Sequence, residues 1–134
     1  MLTNFAEIKD ILTKTKTIAV VGLSPKENRP SNDVARYLMA AGYTIIPVNP
    51  GQSEILGEKC YPRLTEIPQK IDVVNIFRAS KEVGPVVDQA VEIGAKVVWM
   101  QEGIVNEEVA AKARQAGLTV IMDRCLKVDH ENLA

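Results

Sequence analysis

Five short runs of consecutive apolar residues recur along the chain, and polar or amphipathic segments separate them. The runs cover residues 17–22, 43–48, 72–77, 96–100 and 118–122. Strands buried on both faces of a parallel sheet are continuously apolar, whereas half-buried antiparallel strands alternate between apolar and polar residues. The runs therefore favour parallel strands joined by right-handed helical crossovers. The sequence predicts an α/β fold, a Rossmann-like doubly wound parallel sheet.

The predicted order of the strands is 3-2-1-4-5-6, where the third is a short strand at residues 59–61. A chain of 134 residues has room for one three-layer domain with a real core, so residues 1–134 are expected to form a single domain. An N-terminal helix is predicted within residues 1–16, capped by Thr3 or Asn4, with Phe5, Ile8, Ile11 and Leu12 on one face. Residues 123–134 are predicted to form a polar C-terminal tail.

Three further helices are predicted between the strands. They cover residues 33–41, residues 80–93 and a segment capped at Asn106, and a glycine ends each of them at Gly42, Gly94 and Gly117. The start of the second is left open, because Gly84 and Pro85 offer an alternative beginning.

The composition is that of an ordinary soluble protein, with 46% hydrophobic and 25% charged residues. Because 16 Lys and Arg balance 17 Asp and Glu, neither nucleic acid nor a membrane surface is an expected partner. The cysteines, Cys60 and Cys125, are too few for a disulfide scaffold and match no common zinc spacing. No signal peptide or membrane-spanning stretch is evident, so a cytoplasmic location is expected.

Residues 18–32, reading IAVVGLSPKENRPSN, form the first predicted strand, a loop and the start of a helix. Such a turn lies at the carboxyl ends of the strands, where a helix N-terminus can hold an anion. The dinucleotide fingerprint needs three glycines, but no glycine follows Gly22 until Gly42, and no acid follows the second strand to bind an NAD ribose. The loop instead carries donors and cations suited to phosphate, namely Ser24, Lys26, Asn28, Arg29, Ser31 and Asn32.

Several motifs along the chain resemble those of the small single-domain CoA-binding proteins. They are VVGLSPKENRPSNDVARYLMAAGY, IIPVNPG, NIFRAS, VVWMQEGI and MDRCLKVDH, in the order expected for that family. The family is similar to the N-terminal CoA-binding domain of the succinyl-CoA synthetase α subunit. The resemblance covers residues 17–130 and implies a Rossmann-like protein that binds coenzyme A or a short acyl-CoA.

The resemblance also implies which residues bind the ligand. The diphosphate is expected against the first loop and the following helix start, and the adenosine end beside the end of the second strand. Phe77 and Arg78 are expected at the neighbouring strand end, and Gln101 on the far wall. The implied cofactor-binding residues are Gly22, Leu23, Ser24, Lys26, Arg29, Ser31, Asn32, Asn49, Pro50, Phe77, Arg78 and Gln101. Because CoA carries a diphosphate and a 3′-phosphate, the cations Lys26, Arg29 and Arg78 are the candidate phosphate ligands.

The chain departs from the synthetase domain in two places. The synthetase has a glycine-rich first loop and a lysine in a Pro-Gly-Lys segment, whereas this chain has GLSPKENRPS and Asn49-Pro50-Gly51-Gln52. Its phosphohistidine belongs to a second domain, so His130 is not its counterpart and synthetase activity does not carry over. No catalytic or metal-binding residue is predicted. Cys125 and His130 are the pair that thioester chemistry would use, but no third group is evident to orient them.

Several of these residues also have a purely structural interpretation. Residues 31–33 are also a typical helix cap. Lys26 and Arg29 are also typical of a solvated loop. Phe77 and Trp99 are also typical packing residues at the ends of strands. Two other functions remain open: an NAD(P)-binding redox enzyme or sensor, and a CoA-binding subunit of a larger acyl-CoA enzyme. A partner enzyme of that kind and a homo-oligomer are the macromolecular partners considered. The main prediction is a stand-alone binding module without catalysis.

Overall fold

A parallel sheet lies at the centre of the computed structural model, which describes residues 4–133. The strands are β1 (Thr17–Val21), β2 (Thr44–Val48), β3 (Glu54–Ile55), β4 (Glu58–Lys59), β5 (Val73–Ile76), β6 (Val97–Met100) and β7 (Thr119–Ile121). Five of them form the main sheet in the order β2-β1-β5-β6-β7, with every neighbouring pair parallel. The predicted Rossmann-like α/β class is confirmed, as is the relative order of these five strands.

The predicted third strand at residues 59–61 is wrong in its extent. β3 and β4 pair with each other in a separate antiparallel sheet, because a turn at Leu56 and Gly57 with positive φ reverses the chain between them. On the edge of β2 that faces away from β1, the predicted strand contributes only Tyr61, in a parallel bridge to Val48. Its N–H donates to Pro47 O at 3.0 Å and its carbonyl accepts from Asn49 N at 2.9 Å. The edge position that was predicted for the third strand is therefore occupied by a single bridging residue.

The helices are α1 (Phe5–Lys14), α2 (Pro30–Ala40), α3 (Val83–Glu92), α4 (Glu107–Gln115) and α5 (Leu126–Glu131). Asn4 caps α1, since its Oδ1 accepts from Glu7 N at 2.8 Å; the alternative cap, Thr3, lies outside the described residues. Phe5 was expected on the buried face of α1 but is half exposed. α2 begins three residues earlier than predicted, at Pro30, whose ring suits the first helical position.

Two apolar clusters fill the space between the sheet and its helices. One joins the sheet to α1, α2 and α5 through residues such as Ile8, Leu38 and Leu126. The other joins it to α3 and α4 through Val87 and Ala110. The architecture therefore has the three layers that were predicted. No helix among residues 4–133 combines the length and the apolar character needed to cross a membrane.

The predicted polar tail at residues 123–134 is wrong for residues 126–131, which form α5. Leu126 is fully buried, and the carboxylate of Asp129 accepts two hydrogen bonds from the Arg124 guanidinium, both at 2.8 Å. Farther along, His130 Nδ1 and Tyr37 Oη are joined by a hydrogen bond of 2.7 Å. The local pair of Arg124 with Asp129 and the long-range contact of His130 with Tyr37 together hold a short helix in which Leu126 is fully buried.

Asp72 ties together the amino ends of the strands. Its Oδ2 accepts from the N–H groups of Lys16 at 2.9 Å and Thr17 at 3.1 Å, and Lys96 Nζ lies 3.9 Å from Oδ1. Burial works to raise the pKa of this carboxyl, but the two backbone donors and the nearby Lys96 and Lys70 outweigh it and hold the pKa below its usual value.

We expect Asp72→Asn to lower the free energy of unfolding at pH 7 by roughly 1–2 kcal/mol, because hydrogen bonds to a charged acceptor are stronger than those to an amide. A depressed pKa in the folded state stabilises the protein above the pKa of the unfolded chain, and this stabilisation is lost as the pH falls through the folded pKa. In urea unfolding, the difference in the free energy of unfolding between the wild-type protein and Asp72→Asn should therefore be constant near neutral pH and shrink in acid. Asp88→Asn is the control, since Asp88 is exposed and lies 3.9 Å from Lys112. An equal effect in both variants would contradict the role of Asp72.

Candidate functional site

Gly22 directs the chain out of β1 and across the carboxyl end of β5. Its φ is +86°, a conformation that suits glycine. Its N–H donates to Val48 O at 2.9 Å. A Cβ at this position would lie 2.6 Å from the carbonyl oxygen of Phe77. The absence of a side chain therefore lets the first loop lie directly against the end of the neighbouring strand.

Three side chains hold the loop that follows Gly22. Ser31 Oγ accepts from Ser24 N at 3.0 Å, Asn32 Nδ2 donates to Ser24 O at 2.9 Å, and Asn49 Nδ2 donates to Leu23 O at 2.9 Å. Ser31 and Asn32 are buried, with 5% and 1% of their surface exposed. The side chains of Ser31, Asn32 and Asn49 thus make hydrogen bonds that fix the loop.

The first turn of α2 lies beside this loop. Arg29 is the N-cap residue but its side chain makes no capping hydrogen bond, and Pro30 occupies the first turn. Asp33, also in that turn, is paired with Lys127 of α5 at 2.9 Å and with Arg36 at 3.8 Å. The hydrogen bond from Lys127 is the main reason why the pKa of Asp33 is lowered, ahead of the opposing effect of burial. The two cations balance the acid at the start of α2, where the helix dipole favours an anion.

A cleft with two adjoining compartments opens at this edge of the sheet. The first compartment, of about 380 Å³, is lined by Gly22, Ser24, Lys26, Arg29, Pro30, Ser31 and Phe77. The second compartment, also of about 380 Å³, is lined by Pro30, Phe77, Arg78, Ala79, Gln101, Glu102 and Ile104. Pro30 and Phe77 line both, so the two compartments meet at these residues. Volumes of this size are typical of small-molecule sites.

Three cations line the cleft without an acidic partner. Within residues 4–133, no carboxylate lies within 4.0 Å of the charged groups of Lys26, Arg29 or Arg78. Arg78 Nε lies 3.5 Å from the place that a Cβ on Gly22 would take, which puts this side chain against the first loop. The cleft is therefore electropositive, and its cations are available to an anionic ligand.

Eight of the predicted ligand residues line the cleft: Gly22, Ser24, Lys26, Arg29, Ser31, Phe77, Arg78 and Gln101. Four do not line it. Leu23 is fully buried in the core, Asn32 and Asn49 support the loop, and Pro50 is exposed beyond β2. Sequence reasoning missed Pro30, Ala79 and Ile104 and left out Glu102. The position of Pro30 before a helical run was the available signal, because proline is common in the first helical turn.

Cys125 and His130 are not joined by a hydrogen bond. The imidazole of His130 pairs with Tyr37, and its ring packs edge-on against Tyr37 and Tyr43, with centroid distances of 5.4 and 5.6 Å. Burial raises the pKa of the other thiol, that of Cys60, which disfavours a reactive thiolate. The structure therefore places His130 in the packing of α5 against α2.

A Rossmann-like sheet with an electropositive cleft at its carboxyl edge is typical of α/β proteins that bind phosphate-bearing ligands. Residues 16–131 match the family described as CoA binding domain, and the chain belongs to that family. This confirms the resemblance identified from the sequence motifs.

Similar proteins include both small chains and large ligases. The uncharacterized protein YneT of Bacillus subtilis (strain 168) is 49% identical over 93% of each chain. The structure of a hypothetical protein from Pyrococcus horikoshii OT3 is similar, with a TM-score of 0.95, 46% identity and coverage of 98% of this chain and 92% of that one. The ADP-forming acetate–CoA ligase I of Archaeoglobus fulgidus is 27% identical over 89% of this chain but only 19% of the ligase.

Proposed function

We propose that this chain binds coenzyme A, or a short acyl-CoA, in the cleft at the carboxyl ends of the strands and acts as a stand-alone binding module. The observation that carries the proposal is the set of three cations, Lys26, Arg29 and Arg78, which line the cleft with no carboxylate within 4.0 Å among the described residues. Family membership supports CoA as the ligand.

The chemistry of CoA suits the first compartment. Its phosphates need several donors and positive charges, which Lys26, Arg29 and the N-terminus of α2 supply together. The loop that carries Lys26 is held at Ser24, whose N–H donates to Ser31 Oγ and whose carbonyl accepts from Asn32 Nδ2, so it requires little ordering when a ligand binds. Arg78 lines the second compartment, and its Nε lies 3.5 Å from the place of a Cβ on Gly22, which lines the first, so it is within reach of a ligand that occupies both.

The end of β2 argues against an NAD-binding function. The residue that follows β2 is Asn49, and its amide is already used: Nδ2 donates to Leu23 O and Oδ1 accepts from Gly51 N, both at 2.9 Å. No acid is present there to accept hydrogen bonds from a ribose. The single glycine of the first loop, Gly22, agrees with this interpretation.

Titration calorimetry tests the proposal directly. We expect CoA to bind with a free energy of about −8 kcal/mol or better, which corresponds to micromolar or tighter affinity. We expect CoA to bind about tenfold or more tightly than NAD. CoA carries a 3′-phosphate for the cations besides its diphosphate, whereas no acid follows β2 to accept hydrogen bonds from the ribose of NAD. Equal affinity for CoA, NAD and ADP would overturn the proposal.

A second candidate function is that of a CoA-binding subunit within a larger acyl-CoA enzyme. It is favoured by the similarity to an ADP-forming acetate–CoA ligase, of which this chain spans 19%. Native mass spectrometry of the protein purified at its natural expression level distinguishes the two candidates. A stand-alone module gives this chain or its homo-oligomer with a CoA-sized adduct, whereas a subunit gives a stoichiometric complex with a second polypeptide.

A further inference from the structure

Two amide side chains lie at the inner wall of the second compartment. Asn75, in the middle of the sheet on β5, is fully buried, and its Nδ2 lies 3.3 Å from both Trp99 O and Gln101 Oε1. Gln101 follows β6 directly and lines the second compartment with 6% of its surface exposed. The buried amide therefore contacts a residue of the cleft.

The backbone fixes the orientation of both amides. Trp99 O is a carbonyl oxygen, which only accepts, so Asn75 must present its NH₂ group rather than its oxygen on that side. The same NH₂ group faces Gln101, which must in turn present Oε1 to it. Gln101 Nε2 is then left without a hydrogen-bond partner among residues 4–133. Since it is not among their buried atoms that lack a partner, it is in contact with solvent. The donor of Gln101 is therefore directed to the open cleft.

The arrangement has an energetic cost that packing does not explain. Asn75 Oδ1 is the buried side-chain polar atom without a hydrogen-bond partner among the described residues. An unsatisfied buried acceptor destabilises the folded protein, because it has lost its hydrogen bonds to water. The position lies beside Val20 and Trp99, in a sheet layer where an aliphatic side chain would avoid this cost. An orphaned group of this kind in a buried strand calls for a functional explanation.

We propose that Gln101 determines ligand specificity by donating from Nε2 to a carbonyl oxygen at the pantetheine or thioester end of CoA, and that Asn75 is the positioning residue that fixes its amide. This inference rests on the proposed function. The cations of the first compartment suit phosphates, whereas a neutral donor beside the apolar Phe77 and Ile104 suits a neutral carbonyl. Because the compartments adjoin, a ligand with its phosphates in the first extends its pantetheine arm into the second.

The test compares three ligands by calorimetry: CoA, acetyl-CoA, and adenosine 3′-phosphate 5′-diphosphate, which lacks the pantetheine arm. Gln101→Met removes the donor while keeping an unbranched side chain. We expect it to weaken binding of a carbonyl-bearing ligand by about tenfold, as for the loss of one hydrogen bond, and to leave the nucleotide within about twofold. A loss shared by CoA and acetyl-CoA assigns a pantetheine carbonyl, and a loss confined to acetyl-CoA assigns the thioester carbonyl; both support the proposal.

Asn75→Leu tests the positioning role. It removes both the donor that fixes Gln101 and the orphaned oxygen. We expect the affinity for the same carbonyl-bearing ligands to fall by a smaller factor, about three- to fivefold, without loss of thermal stability. A merely structural role would lower the stability and affect all three ligands alike. Gln115→Met is the matched control for Gln101→Met, because Gln115 is exposed at the end of α4, away from the cleft, and it should leave the affinities for all three ligands unchanged.

Unchanged affinity for both CoA and acetyl-CoA in Gln101→Met, or an equal loss for the nucleotide, would overturn the inference while leaving CoA binding intact. Failure of the wild-type protein to bind CoA would instead overturn the proposed function. Since Gln101 is on the cleft wall, its variant carries the test even where Asn75→Leu does not fold.

Discussion

Replacing Gly22 with alanine is expected to lower the free energy of unfolding by about 3 kcal/mol and to weaken CoA binding about tenfold or more. The methyl group would lie 2.6 Å from Phe77 O, a backbone atom that cannot move away without displacing the end of β5. The residue would also have to hold a φ of +86°. Both effects displace the first loop, whose position aligns the cations of the cleft. Urea unfolding and calorimetry measure the two losses separately.

Gly94→Ala is the matched control for this variant. Gly94 also has a positive φ, +74°, but nothing lies within 4 Å of its would-be Cβ. The backbone strain alone should lower the free energy of unfolding by about 1 kcal/mol and leave CoA affinity unchanged. Equal effects in the two variants would show that the close approach of Gly22 to Phe77 does not matter.

The sheet could be predicted from the sequence because its information is local. Each strand of the main sheet is a short apolar run, and burial on both faces permits that pattern without alternation. Tyr61 and α5 could not be placed in the same way. The pairing of Tyr61 with Val48 depends on how the β3–β4 turn returns the chain, and α5 is held by distant polar contacts such as that of Lys127 with Asp33. Contacts of this kind leave no periodic pattern in the sequence.

The candidate site was predicted in outline for a related reason. The rule that ligands lie at the carboxyl ends of parallel strands pointed to the edge of the sheet where the cleft lies, and the family resemblance implied Phe77, Arg78 and Gln101 there. The rule does not say which polar side chains face the cleft. Asn32 and Asn49 lie at this edge, yet they turn inward to hold the loop. Only packing decides between these orientations.

Besides Pro30, Asn75 is a signal at the site that the sequence carried and that was not used. It is the single polar residue among residues 73–77, and a buried amide in a central strand needs partners. Its partners, Trp99 O and Gln101, lie on the adjacent strand and its end. A polar residue interrupting a buried strand therefore indicates a neighbour to look for across the sheet.

The double variant Arg29→Ala/Arg78→Ala is expected to weaken CoA binding about a hundredfold, because the loss of each charge-assisted contact between an arginine and a phosphate lowers the affinity about tenfold. The stability should change little, because neither side chain pairs with a carboxylate or makes a side-chain hydrogen bond within residues 4–133. Calorimetry at two salt concentrations measures the effect. The affinity of the wild-type protein should fall with salt more steeply than that of the variant.

The control Arg63→Ala/Arg114→Ala removes the same net charge away from the cleft, at two exposed positions. If affinity depended only on the overall charge, the two double variants would behave alike. A loss confined to the Arg29 and Arg78 variant would place the phosphates between the first loop and the end of β5. Unchanged affinity in that variant would move the CoA site to another part of the protein, because no other arginines line the two compartments among the described residues.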